Sequence, residues 1–125
     1  MPKKRAPQPR WLDAPQEHNY PAAESYLNLI YSSSKSAKLV RALRSAECVA
    51  FKAKDIFRAS KLSLLGVSNS HVVKDQRKIR AGDALSPLLL VRDRKDGKVV
   101  IADGYHRLCA VYTFNEDESI PCKIV

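Results

Sequence analysis

Asp103-Gly104-Tyr105-His106-Arg107 brings side chains of several chemistries into one short stretch of this chain. It follows the apolar run Val99-Val100-Ile101-Ala102 and precedes Leu108, Cys109, Val111 and Tyr112, which repeat at helical spacing. Small and β-branched apolar residues that stop at Asp-Gly read as a buried strand, so the chain is expected to pass from strand through Gly104 into a helix. The first amides of a helix have no internal partner and sit at the positive end of its dipole, which makes 105–107 a site for an anion such as a phosphate. Arg107 offers two parallel hydrogen bonds to such a group. The same dipole repels a cation, so Arg107 needs something negative beside it, either an anionic ligand or a carboxylate such as Asp103 or Asp75.

The other residues of the stretch each have a chemical and a structural reading. Gly104 permits a close approach or simply turns the chain. His106 bonds a phosphate oxygen or acts as acid or base near neutral pH, or else satisfies a backbone carbonyl. Asp103 takes a proton from a substrate hydroxyl or holds Mg²⁺ against phosphates, or else caps the following helix. Asp103 and His106 are thus the candidate catalytic residues. Gly104, Tyr105, His106 and Arg107, with Ser86 alongside, are the candidate ligand contacts, Tyr105 being expected mainly to pack beside the site. No metal site of protein ligands alone is expected, because Cys48, His106, Cys109 and Cys122 lack paired Cys-x-x-Cys spacing.

Several elements must position this stretch. Pro21 suits the first turn of a helix carrying Ala23, Tyr26, Leu27, Ile30 and Tyr31 on one face. Ser32, Ser33 and Ser34 break it, and Ser36 caps a second helix with Leu39, Val40 and Leu43 inward and Lys38, Arg41 and Arg44 outward. Alternation over 48–54 predicts a half-exposed strand with Val49, Phe51 and Ala53 on one side. Ile56 to Leu65 supplies apolar mass that ends at Gly66. Asn69 or Ser70 caps a helix over 71–80 that closes at Gly82, with Val72, Val73, Gln76 and Ile79 inward and Lys74, Arg77, Lys78 and Arg80 outward. Ser86-Pro87 opens a fully apolar strand over 88–91, central to a sheet, joined by a hairpin through Asp96-Gly97 to the strand before Gly104. A last strand covers 120–125.

The 125 residues suit one domain, and neither a membrane span nor a signal peptide is present, which predicts a cytoplasmic protein. Three scattered cysteines argue against a disulfide framework. The formal charge of +9 is uneven, with 12 Lys or Arg against 5 Asp or Glu over 1–62 and 10 against 8 over 63–125. Such an excess attracts polyanions through counterion release, or merely solvates the surface. Residues 1–20 carry Lys3, Lys4, Arg5 and Arg10 among four prolines and read as a basic flexible arm that could touch nucleic acid, with Trp11 docked on the body.

From His71 onward the order of elements resembles the ParB and sulfiredoxin superfamily. The likeness rests on Leu85-Ser86-Pro87 leading the strand Leu88-Leu89-Leu90-Val91, the charged hairpin, Val100-Ile101-Ala102, the Gly-x-x-Arg box of Gly104 and Arg107, a helix, and a strand after Ile120-Pro121. The resemblance implies an α+β fold: a mixed β-sheet with packed helices over 47–125, preceded here by an N-terminal helical hairpin over 21–46, all one domain over 21–125. It also implies a nucleotide phosphate on the box, as a nucleoside triphosphate with Mg²⁺. Functions in the superfamily range from binding to phosphoryl transfer or hydrolysis. Sulfiredoxin chemistry is not expected, since Tyr105 stands where the reactive cysteine would be and a phenol does not replace a thiolate as nucleophile. Centromere binding is likewise not expected, because the helix-turn-helix and dimerisation domains of segregation proteins have no counterpart in these residues.

Overall fold

The computed structural model describes residues 7–64 and 69–125. In chain order the elements are β1 (Arg10–Trp11), α1 (Asn19–Leu27), α2 (Ser33–Ser45), β2 (Val49–Lys52), α3 (Ala53–Ser60), α4 (Ser70–Ala81), β3 (Ala84–Leu85), β4 (Leu88–Asp93), β5 (Lys98–Asp103), α5 (Tyr105–Phe114) and β6 (Ser119–Ile124). The fold is mixed α and β, with a four-stranded sheet in the order β2-β6-β4-β5 and a separate parallel pair, β1 with β3. In the larger sheet β4 is antiparallel to β5 and parallel to β6, and β6 is antiparallel to β2.

The apolar run of β4 explains the layering. Successive side chains of a strand point to opposite faces, so Leu88 and Leu90 enter one core and Leu89 and Val91 the other. The first core is completed by Ile56 of α3, Val72 and Ile79 of α4, and Leu108 and Val111 of α5. The second is completed by Tyr20, Ala23 and Leu27 of α1 and Val40 and Leu43 of α2. Helices therefore cover both faces of the sheet, and each fully buried leucine of β4 contributes about 1.5–3 kcal/mol. Lys123, on β6, is buried; its Nζ donates to the carbonyl of Arg44 at 2.9 Å, near the C-terminus of α2, where a cation is favoured.

Several boundaries differ from the sequence reading. The arm expected over 1–20 is tied to the body from β1 onward. Leu12 N–H donates to the Leu85 carbonyl, and Trp11 packs against the first core, as expected for it. The first helix starts at Asn19 and stops at Leu27, so Tyr26 and Ile30 are exposed rather than on its buried face. Its successor is capped by Ser32, whose hydroxyl accepts from Lys35 N–H, while Ser36 is buried in the second turn. The expected strand over 48–54 shortens to β2, and all four of its residues are exposed. Among the described residues it pairs only with β6, and α3 turns inward at Ala53 instead of shielding it. Gly66 lies outside the described residues. Asn69 does cap α4, and Gly82 ends it in the left-handed conformation.

Candidate functional site

The site forms where β5 ends. Between Leu89 and Leu90 the register with β5 slips by one residue, since Leu90 faces Ile101 but Leu89 faces Asp103. A bulge of this kind re-aims the side chains beside it. Gly104 follows with φ +109° and is the N-cap of α5. A Cβ there would lie 2.7 Å from Cγ of Leu88 and 2.9 Å from a terminal nitrogen of Arg107, so both the turn and the close packing require glycine. Leu108 N–H is the first to bond back, to the Gly104 carbonyl at 2.9 Å. The amides of 105–107 thus have no acceptor within α5.

Arg107 folds back over this turn. Its terminal nitrogen meets the Asp103 carboxylate at 2.8 Å, with both side chains 18% exposed, and lies 3.5 Å from the Pro87 carbonyl. Its Nε is buried without a hydrogen-bond partner among the described residues. The negative charge that the dipole argument demands is therefore supplied by Asp103. That also corrects the capping role considered for Asp103, because α5 has no side-chain cap.

Beside this pair is a cavity of about 210 Å³. One wall is Asp103, Gly104, Tyr105, His106 and Arg107; the other is His71, Lys74, Asp75 and Lys78 of α4. The rings of His71 and His106 stand 4.8 Å apart. Burial pushes the His106 pKa down, His71 and Arg107 push the same way, and Asp75 opposes them. Burial raises the Asp75 carboxyl above its ordinary value, against the pull of Arg107, Lys78, His106 and Lys74. Three full positive charges, two carboxylates and two imidazoles thus share one small polar space.

Segment 103–106 also borders a second cavity, of about 450 Å³, reaching Ala22, Tyr26 and Leu62. A larger depression, about 780 Å³, runs beside α3 past Lys54, Arg58 and Leu62 and does not include the Gly104 turn.

Comparisons of the chain with family models, curated proteins and solved structures gave no match.

Of the residues expected at the site, Asp103, Gly104, Tyr105, His106 and Arg107 come together. The Tyr105 hydroxyl donates to the Ser63 carbonyl and its ring lies 6.3 Å from Phe57, which suits a packing role; burial raises its pKa. Ser86 is not brought to the cavity. It is buried, and its hydroxyl accepts from Gln16 N–H at 3.0 Å and from the Asn19 amide at 3.3 Å, so it anchors the N-terminal segment. Lys3, Lys4 and Arg5 lie outside the described residues. Arg10 is exposed on β1 and does not line the cavity.

His71, Lys74 and Lys78 join the site without a signal in the sequence, whereas Asp75, considered there as a carboxylate beside Arg107, lines the same cavity. All four repeat at three- and four-residue steps, so they share one face of α4. A polar helical face reads as solvent-facing from sequence, and this one faces the N-terminus of another helix. Among the described residues no helix is long and apolar enough to cross a membrane, and no group of three or more His, Cys, Asp or Glu is arranged to hold a metal.

Proposed function

We propose that the cavity between α4 and α5 binds the phosphate of a nucleotide or of another phosphorylated ligand. The observation that carries this reading is the convergence of Lys74, Lys78 and Arg107 around one polar cavity at the start of α5, whose first amides have no acceptor within the helix. Asp103 already pairs with Arg107, but Lys74 and Lys78 are in none of the ion pairs among the described residues, and a phosphate would take charge-assisted hydrogen bonds from them while accepting from the amides. The adjoining cavity toward Tyr26 leaves room for the rest of the ligand. The likeness of the Gly-x-x-Arg box to the ParB and sulfiredoxin superfamily supports the same reading. Asp75 and Asp103 are the carboxylates that would meet a Mg²⁺ carried on the phosphates, since Mg²⁺ takes few protein ligands when phosphate and water supply the others.

Titration calorimetry with inorganic pyrophosphate and a panel of nucleoside triphosphates, with and without Mg²⁺, tests the proposal. Saturable binding that is lost in Lys74→Ala/Lys78→Ala is expected; absence of binding by every probe refutes it.

A second reading is phosphoryl transfer or hydrolysis, favoured by Asp103 and His106 lining the same cavity. A neutral imidazole can take a proton, as from an attacking water or hydroxyl, and the lowered pKa keeps His106 neutral at physiological pH. Release of labelled phosphate from the γ position, abolished in His106→Gln, is the expected result.

A further inference from the structure

At the end of the sheet remote from Gly104, where β4 finishes and β5 begins, α3 leaves the sheet incompletely covered. A groove of about 230 Å³ lies there, floored by Phe51, Ile56, Ala59, Leu90, Val99 and Ile124. Arg92 stands on its lip, and an adjoining depression of about 260 Å³ brings Arg94 and Lys98 beside the same Val99 and Ala59. Among the described residues, none of the ion pairs engages Arg92, Arg94 or Lys98. The carboxylates at these two hollows are Asp55, 3.6 Å from Arg58, and Asp93.

We propose that this groove docks an acidic peptide segment of a partner protein, with aliphatic side chains on the apolar floor and carboxylates on Arg92, Arg94 and Lys98. At about 230 Å³ the groove has room for a few aliphatic side chains on its floor. An apolar floor inside a polar rim is the usual anatomy of a protein contact. The sign of the rim selects the partner. A second copy of this chain, formally +9, would bring like charge to three cations. A nucleic acid would gain from the rim, yet it would find one aromatic ring in the floor, too few for a stacking platform, and no use for the aliphatic remainder.

The test uses the full chain and a short fluorescein-labelled peptide of alternating leucine and glutamate, followed by anisotropy at low salt. Saturable binding is expected. It should weaken by about tenfold or more in Arg92→Glu/Lys98→Glu, fall as salt rises, and vanish when serine replaces leucine in the peptide. Arg92 is exposed and Lys98 lies at the start of β5, and a thermal melt establishes that the variant is folded. Amide shifts on binding should fall within 51–59 and 90–99, and Arg107→Ala should bind the peptide as the parent does, which separates this groove from the α4–α5 cavity. Absence of saturable binding, equal binding of the serine peptide, no loss in the charge-reversed variant, shifts centred on Gly104, or displacement by an equal charge of oligothymidylate would each overturn the proposal.

Discussion

Arg107 and Asp103 face each other across the Gly104 turn, guanidinium to carboxylate at 2.8 Å. In this arrangement Asp103 competes with any phosphate for the same donor. Asp103→Asn should therefore tighten pyrophosphate binding several-fold in calorimetry, because the amide no longer holds the cation by charge. Arg107→Ala should have the opposite effect on affinity. It should also cost about 1–3 kcal/mol of stability, since it leaves a mostly buried carboxylate without its partner.

Gly104→Ala places a methyl against Leu88 and Arg107 and demands φ +109° of an L-residue. Strain and overpacking together should destabilise by about 2–5 kcal/mol in urea unfolding. Gly97 provides the contrast. It has φ +64° but nothing within 4 Å of the added carbon, so Gly97→Ala should cost only about 1–2 kcal/mol.

His106 titrates below its ordinary value of 6.5, chiefly because burial disfavours the imidazolium. The unfolded chain then binds the proton more readily than the folded one. The contribution of His106 to stability is complete above pH 6.5 and is lost as the pH falls through the lowered folded value. Asp75 acts in the reverse sense. Its raised carboxyl makes the folded state the better proton acceptor, so its contribution, present at low pH, is lost as pH rises from its ordinary 3.8 through the folded value. Thermal melts of the parent, His106→Gln and Asp75→Asn across pH 4–7 should separate the two slopes.

Thiol reactivity should divide by burial. Cys48 is exposed, whereas burial pushes the Cys122 thiol up to about 12, leaving almost no thiolate at neutral pH. In native protein an aromatic disulfide reagent should label Cys48 quickly and Cys122 and Cys109 only on unfolding; Cys48→Ser should remove the fast phase.

Ser86 holds the N-terminal segment to the body through Gln16 and Asn19. Ser86→Ala leaves the Gln16 N–H unmatched and the Asn19 amide with the Gln16 carbonyl alone, and should cost about 1–3 kcal/mol. Trp11 is the one tryptophan, so its emission should shift to the red as the segment loosens.

The parts of the fold that were legible are those in which neighbours in sequence are neighbours in space. The β4–β5 pair, its Gly97 turn and the passage through Gly104 into α5 depend on residues a few positions apart. The turns there demand a positive φ, which glycine adopts freely and other residues rarely do. The rest depends on distant contacts. Gln16 meets Ser86 across 70 residues, and no local pattern in a proline-rich segment indicates that bond. Ser86 was misplaced for the same reason, because a serine before a proline strand looks available until its partners are known. Lys74 and Lys78 sit on a face that any amphipathic helix would show to water. Only the position of α5 opposite turns that face into a cavity wall.

The order of the strands has a consequence for synthesis. Among the described residues β2 has β6 as its one strand neighbour, so Val49 and Phe51 emerge from the ribosome more than sixty residues ahead of the segment that receives them. Throughout that interval an adhesive ribbon is on offer to other nascent chains, and yield in the cell should depend on chaperone supply more than on the equilibrium stability of the finished molecule.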